Sequence, residues 1–64
     1  MANLSHIFKC GQKVRCNFDG DFYKGTVTKT DVDYIIVDIP EISDHCRFEN
    51  GFNIEDVYPE YNFL

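Results

Sequence analysis

The clearest pattern near the start of the chain is an alternation of apolar and polar residues over residues 12–18. Val14, Cys16 and Phe18 fall on one side of an extended chain, and the polar residues between them fall on the other. A spacing of two is typical of a strand that is buried on one face only. We therefore predict a first strand over residues 12–18.

A second strand is predicted after a tight turn. Asp19-Gly20 is typical of a two-residue hairpin, because both central positions of a type I′ turn need positive φ. Residues 22–29 then alternate again. The core side of this strand carries Tyr23, Gly25 and Val27. A glycine that faces a core costs stability unless the strand bends there or another backbone approaches closely, so Gly25 predicts the tight curvature of a small barrel.

Two further strands are predicted in the middle of the chain. Residues 34–39, with the sequence YIIVDI, are apolar on both faces and rich in β-branched residues, which predicts the most buried strand and leaves its parity open. Pro40 ends this strand, since a proline has no N–H to donate to a sheet. After a polar loop, residues 45–49 predict a short fourth strand with Cys46 and Phe48 facing inward.

The two ends of the chain carry weaker patterns. Residues 1–8 lack alternation, which predicts irregular structure or a single turn. Three apolar residues of this segment are expected to cover one open end of the barrel: Leu4, Ile7 and Phe8. After the turn signal Asn50-Gly51, residues 54–56 predict one 3₁₀ turn and residues 57–58 a last short strand.

Five short strands at close spacing predict an all-β fold, a small five-stranded barrel. A chain of 64 residues has room for one domain, which we assign to residues 1–64 with a core over about 11–59. The predicted inward set is Val14, Cys16, Tyr23, Val27, Tyr34 or Ile35, Ile36 or Val37, Cys46, Phe48 and Val57.

The order of these motifs resembles that of SH3-like barrels of the Tudor, KOW and chromo-barrel type. The resemblance is carried by G-x-K-V at residues 11–14, D-G-x-F-Y-x-G-x-V at residues 19–27 and I-E-D-V at residues 54–57. It implies a five-stranded barrel with a short 3₁₀ turn before the last strand. This fold serves methyl-ligand readers, RNA-contacting modules and peptide binders alike, so the resemblance implies a binding role and no single ligand.

The resemblance to Tudor domains also implies an aromatic cage for a methylated cation. The matching rings are those of Phe18, Tyr23 and Tyr34, since a ring face attracts a cation. The accompanying carboxylate would come from Asp19, Asp21 or Asp38. The chain departs from the family in having no tryptophan and in having the sequence VDIPE where Tudor domains usually have a polar loop. The alternative is that these rings fill the core.

Composition limits the partners. The chain has 11 acidic and 6 basic residues, a net charge of −5 and a pI near 4.6. Sequence-independent nucleic-acid binding needs a basic surface, so nucleic acid is disfavoured and a partner with a basic surface fits better. No apolar run approaches the ~18 residues that are needed to cross a membrane, so we expect no membrane among the partners. The oligomeric state stays open.

Cysteine usage points to a reducing compartment. Three cysteines are an odd number, and no signal peptide pattern opens the chain, so we expect free thiols in the cytoplasm. A zinc site would need Cys10, Cys16 and Cys46 with His6 or His45, but structural zinc sites usually show closer cysteine pairs. We therefore expect no metal and no cofactor. No catalytic motif is present, so we expect no enzyme.

The preferred function is a small interaction module that binds a protein or peptide. One alternative is a stand-alone acidic inhibitor, of the kind that mobile elements or phages encode, that blocks a basic nucleic-acid-binding partner. Its charges would be those of Asp19, Asp21, Asp31 and Asp33, although these two pairs lie at opposite ends of the second strand. A KOW-like nucleic-acid-binding module is a further alternative, which the charge opposes.

The most specific expectation concerns exposed aromatic residues. Phe22 faces outward beside Lys24, where a five-stranded barrel offers no core. The tail is also aromatic and apolar, with Tyr58, Tyr61, Phe63 and Leu64. Either the tail folds over Phe22 and seals the barrel, or the two form a shared binding patch. The complete set of candidate binding residues is Phe18, Asp19, Asp21, Phe22, Tyr23, Tyr34, Tyr58, Tyr61 and Phe63.

Overall fold

The computed structural model describes residues 3–63 and their side chains as far as Tyr61. The strands are β1 (Lys13–Phe18), β2 (Asp21–Thr30), β3 (Tyr34–Ile39), β4 (Ser43–Glu49) and β5 (Val57–Pro59). A helical turn, α1 (Leu4–Ile7), precedes them, and two 3₁₀ turns, η1 (Ile54–Asp56) and η2 (Glu60–Phe63), flank β5. The predicted all-β class and the 3₁₀ turn before the last strand are confirmed.

All five strands form one antiparallel sheet in the order β4-β3-β2-β1-β5. β4 and β5 are its two edges, so the sheet is open. Its extents of 26 × 24 × 22 Å are nearly equal, which means that the sheet coils around its core. This arrangement is compatible with a small barrel-like fold.

The β1–β2 turn forms as the Asp19-Gly20 pattern predicts. Asp19 has φ 53° and Gly20 has φ 89°, the positive values that a type I′ turn requires. The backbone N–H of Gly20 donates to Oδ1 of Asn17 at 2.9 Å. This turn sets the register, with Cys16 opposite Tyr23.

The inner face of the sheet supplies most of the core. The buried apolar residues are Leu4, Phe8, Val14, Cys16, Val27, Ile35, Ile36, Val37, Ile39, Phe48 and Val57. The sequence left open which of the two alternating sets of β3 faces the core. The structure shows that Ile35, Val37 and Ile39 do, so Tyr34 lies on the outer face. Tyr23 and Cys46 pack against the core but are only partly buried.

Gly25 is buried where β2 crosses β3. A Cβ atom on Gly25 would lie 2.6 Å from Cγ1 of Val37, 3.0 Å from Cγ1 of Ile39 and 3.2 Å from the carbonyl oxygen of Asp38. The glycine therefore leaves room for the side chains of Val37 and Ile39, the two nearest contacts, and the expected approach of a backbone is present only as the Asp38 carbonyl oxygen at 3.2 Å.

Two of the three N-terminal residues that were expected to cover the core do so. Leu4 and Phe8 are buried, and the backbone N–H of Leu4 donates to the carbonyl of Val32 at 3.0 Å. The prediction for Ile7 is wrong, because its side chain is 50% exposed. Leu4 and Phe8, four residues apart, face the core together, whereas the last residue of the helical turn, Ile7, faces solvent.

Candidate functional site

The candidate site lies on the outer face of the sheet, where β1 runs between β2 and β5. Because side chains alternate along a strand, Lys13 and Arg15 face outward on either side of the buried Val14. The register places Arg15 opposite Lys24 in β2 and opposite Tyr58 in β5. The three strands therefore present one surface of cationic and aromatic side chains.

Two depressions of ≈ 320 Å³ each are set into this surface. Lys24 and Pro40 line both, so the two depressions adjoin each other, and we call them together the β2 groove. The first depression is also lined by Lys13, Gly25, Thr26 and Glu60, and the second by Arg15, Phe22 and Glu41. Pro40 and Glu41 belong to the turn between β3 and β4, so that turn forms one wall of the groove.

An aromatic pair lies beside the β2 groove. Phe22 and Tyr58 meet edge to face, with ring centroids 5.6 Å apart and an interplanar angle of 66°. Phe22 is opposite Asn17 and Tyr58 is opposite Arg15, so the two rings meet across β1. They are still 44% and 37% exposed, respectively. The rings therefore offer apolar area to a partner.

The cations of this surface are held by local contacts. Nζ of Lys13 donates to Oγ1 of Thr26 at 3.1 Å, and Nε of Arg15 lies 3.3 Å from Oε1 of Glu60. The arginine and glutamate side chains of this ion pair are 23% and 28% exposed, less than the 51% and 50% of the Arg47–Glu49 pair. Arg15 and Lys24 are directly opposite each other, a placement of like charges that opposes pairing of their strands.

The three rings of the predicted cage do not all come together. Phe18 and Tyr23 touch each other with centroids 5.9 Å apart, and Phe18 also packs against Phe48 at 6.0 Å, so both rings lean on the core. Tyr34 lies on the opposite, outer face of the sheet. Two rings of the three therefore have the partly buried environment of core residues.

Two cationic side chains of the same chain pack against the ring of Tyr34. Cζ of Arg47 lies 3.9 Å from the ring centroid and Nζ of Lys29 lies 5.4 Å from it. Nε of Arg47 also contacts Oε2 of Glu49 at 2.9 Å. A hydrogen bond to Tyr34 raises the pKa of the exposed Lys29 ammonium. A methylated ligand at this ring would have to displace the guanidinium.

The acidic and C-terminal candidates lie elsewhere. Asp19 belongs to the exposed β1–β2 turn and Asp21 begins β2, while Asp38 lies opposite Thr26. Tyr61 is 70% exposed in η2. The side chain of Phe63 lies outside the described residues, as does Leu64, so the predicted folding of the tail over Phe22 stays a prediction.

The three thiols are free and differ in environment. Burial, with smaller contributions from Cys46 and Asp56, raises the pKa of Cys16 to about 12. Burial, followed by the charge of Asp38, also raises the pKa of Cys46, whereas Cys10 is exposed with its Sγ 3.7 Å from the carbonyl of Thr28. Among the described residues no group of three or more His, Cys, Asp or Glu side chains could hold a metal ion.

Sequence reasoning missed the groove itself. It identified Phe22 and Lys24 as outward neighbours, but it did not combine them with Lys13 and Arg15. The signal was present, since the Asp19-Gly20 turn fixes which outward residues of the hairpin are opposite each other. Pro40 carried no such signal, because its position beside β2 depends on how the β3–β4 turn folds over the sheet.

Within residues 3–63, no helix has the length and apolar character needed to cross a membrane. A scan against protein-family models and searches among curated proteins and solved structures found nothing that matches this chain.

Proposed function

We propose that the chain is a small non-catalytic module that binds a protein or peptide in the β2 groove. The observation that supports this function is the exposed Phe22–Tyr58 pair beside two adjoining depressions. Aromatic residues are enriched where proteins bind each other, because they bury a large apolar area with little loss of side-chain freedom.

The shape of the β2 groove favours an extended segment. Each depression of ≈ 320 Å³ is at the small end of ligand pockets, and the two share Lys24 and Pro40. Two adjoining depressions that follow β2 match an extended peptide better than a compact small molecule. Of the candidate binding residues, Phe22 and Tyr58 are the two that we assign to this surface.

We propose in addition that the fold is an SH3-like barrel of the Tudor or KOW type. Support comes from the strand order β4-β3-β2-β1-β5, the 3₁₀ turn η1 before β5 and the sequence motifs named above. The free thiols support a cytoplasmic location.

Selection from a displayed library of random linear peptides tests the binding function. We expect the parent protein to enrich a family of related peptides, and we expect the double variant Phe22→Ala/Tyr58→Ala to recover few of them. Phe52→Ala is the matched control, because Phe52 is 80% exposed in the loop before η1 and does not line the groove. Urea unfolding of each variant separates lost binding from lost structure.

No enrichment by the folded parent would overturn the proposed function. Equal enrichment by the parent and the double variant would move the binding site away from the β2 groove.

The acidic-inhibitor alternative uses a different surface. Asp19, Asp21, Asp31 and Asp33 are all exposed, outside the set that lines the β2 groove. In that case, replacing these four residues by asparagine would abolish binding to a basic partner, whereas Phe22→Ala would leave it intact.

A further inference from the structure

We infer that the peptide bound in the β2 groove is acidic, a statement that rests on the proposed function. The occupant is a short extended segment that places two or three carboxylates over Lys13, Arg15 and Lys24 and an apolar side chain against Phe22. This differs from the basic partner that the overall charge of the chain suggests.

Charge is distributed unevenly over the molecule. Of the 6 basic residues in the chain, Lys13, Arg15 and Lys24 line the groove, whereas only Glu41 and Glu60 of the 11 acidic residues do so. The groove lining is therefore net positive although the chain carries −5. Arg15 forms an ion pair with Glu60 at 3.3 Å. Lys24 is the cation that lines both depressions.

The opposition of Arg15 and Lys24 supports the same conclusion. Like charges directly opposite in an antiparallel pair are unfavourable, and Lys13 adds a third positive charge on the same face. Glu60, 3.3 Å from Arg15, offsets part of this repulsion, and a second carboxylate beside Lys24 would relieve the rest, so binding an anion is coupled to a local gain in the stability of the hairpin. A cationic ligand would increase the repulsion.

A peptide fits better than a nucleic-acid strand. Asp19 and Asp21 are exposed at the end of the hairpin next to Phe22, and Glu41 lines the same depression as Phe22. A strand with a phosphate at every nucleotide would have to pass these carboxylates. A peptide can present its carboxylates only where the three cations lie.

The same displayed library tests this inference through the charge of the recovered peptides. We expect peptides selected by the parent to be enriched in Asp and Glu, and we expect their affinity for Lys24→Glu to fall by about tenfold or more, or about 1.4 kcal/mol. Lys9→Glu is the control, because it changes the net charge equally outside the groove. We expect Lys9→Glu to bind like the parent.

Peptides enriched without an excess of acids, or bound equally by Lys24→Glu, would overturn the acidic occupant and leave the binding module intact. If the parent enriches no peptide, the proposed function fails instead. A labelled oligothymidylate is the second probe. Binding of this strand by the parent, with loss in Lys24→Glu, would overturn the peptide in favour of nucleic acid.

A second inference concerns the exposed edge of β4 and rests on different residues. The side chain of Asn53 accepts from the backbone N–H of Glu49 at 2.6 Å and donates to the backbone carbonyl of Arg47 at 3.1 Å. These are the donor and acceptor that a neighbouring strand would pair, since β4 is the last strand of the sheet. We propose that Asn53 blocks this edge and so prevents pairing with β4 of a second copy of the chain.

The two edges of the sheet differ in a way that gives Asn53 this role. β5 has three residues and ends in Pro59, and short length and proline both discourage edge pairing. β4 has seven residues and no proline, so its length alone would permit pairing. The N–H of His45 donates to Oγ of Ser43 at 3.1 Å, which engages another backbone group of this strand.

Asn53→Ala tests the edge-blocking role, with Asn17→Ala as the control. Both asparagines make side chain to backbone bonds beside a turn, but Asn17 lies in the β1–β2 hairpin. We expect the mass measured by light scattering to rise with concentration for Asn53→Ala more steeply than for the parent or for Asn17→Ala. If Asn53→Ala unfolds, Asn53→Asp is measured instead, because it keeps the acceptor for Glu49 and loses the donor to Arg47.

Amide exchange gives an independent measurement. We expect the Glu49 amide to exchange faster in dilute Asn53→Ala while the Val37 amide does not change. A mass that matches the parent at every concentration, with an unchanged Glu49 amide, would overturn the proposal.

Discussion

The inner and outer faces of the β1–β2 hairpin are made by the same two strands and have opposite properties. On the inner face Val14, Cys16, Gly25 and Val27 are all buried. On the outer face, one residue away along each strand, Arg15 of β1 and Lys24 of β2 line a groove that is open to solvent. Alternation therefore lets one hairpin supply part of the core with one set of residues and the proposed binding surface with the other.

The contrast between the two faces predicts which substitutions change stability and which change binding. An inner residue has no free volume around it, so a change in size must be absorbed by the sheet. An outer residue is restrained by one or two contacts, so its replacement changes recognition more than stability. Each prediction below tests this division.

The largest effect is expected for Gly25→Val on the inner face. Its Cβ alone would lie 2.6 Å from Cγ1 of Val37, so we expect a loss of about 1–3 kcal/mol in the free energy of unfolding by urea. Lys24→Val, one residue away and facing outward, is the control and should change stability by less than about 0.5 kcal/mol. A Gly25→Val protein as stable as the parent would show that the inner face has room to spare.

Alkaline pH should also act on the inner face through Cys16. Burial raises its pKa from 9.0 to about 12, so the folded protein retains the thiol proton over a range in which the unfolded chain releases it. The unfolded state then binds fewer protons, and stability should fall as pH rises from about 9 towards 12.

Replacing this thiol should flatten the pH dependence. We expect a smaller loss of stability above pH 9 in Cys16→Ala than in the parent, while Cys10→Ala, which changes an exposed thiol, keeps the slope of the parent. Identical slopes in the parent and Cys16→Ala would contradict the burial of this group.

A smaller effect on stability is expected at Tyr34 and Arg47, where the arginine side chain covers the tyrosine ring on the outer face of β3 and β4. The guanidinium lies 3.9 Å from the ring centroid, and an exposed cation–π contact contributes about 0.5–1 kcal/mol. A double-mutant cycle with Tyr34→Leu and Arg47→Gln should recover a coupling of that size. A coupling near zero would mean that this ring is as available to a ligand as Phe22.

The smallest effect on stability is expected at Lys13 and Lys24 of the β2 groove. Replacing either by glutamine should change the free energy of unfolding by less than about 0.5 kcal/mol, because both are exposed. Asn17→Ala, which removes the 2.9 Å bond to Gly20, should cost more. A large loss in Lys24→Gln would show that the outer face supports the fold.

Metal removal should have no effect on either face. A chelator is expected to leave the melting temperature of the purified protein unchanged, because the thiol of Cys16 is buried in the core and that of Cys10 is exposed. A marked fall in the melting temperature would mean that the cysteines hold a metal and that Cys16 is misassigned.

Much of the strand plan follows from local rules. The positive φ values at Asp19 and Gly20, the alternation in β1 and the single 3₁₀ turn at Ile54–Asp56 are all short-range features, and the structure has each of them. The boundaries were less accurate. β4 begins at Ser43, two residues before the predicted start, because the turn after β3 closes early through the bond from the Ile42 N–H to the carbonyl of Ile39.

The candidate site was only partly predictable. Phe22 was identified because it faces away from the core of its own strand, which alternation alone determines. Both expected arrangements of the C-terminal aromatic residues brought them to Phe22, but that the ring it meets is Tyr58 depends on β5 pairing with the far side of β1, more than forty residues later in the chain. The predicted grouping of Phe18 with Tyr34 required the two strands to turn these rings to one side, and the parity of β3 places Tyr34 on the other.

The sequence by itself determined which residues of β1 and β2 are inner and outer, because side chains in a strand alternate whatever surrounds them. It also determined the hairpin register, since Asp19-Gly20 permits only a tight turn. The tertiary structure decided the parity of β3, both of whose faces carry large apolar residues, and it decided the walls of the β2 groove. Those walls are formed by Pro40 and Glu60, which follow strands on opposite sides of β2 and line the same depression.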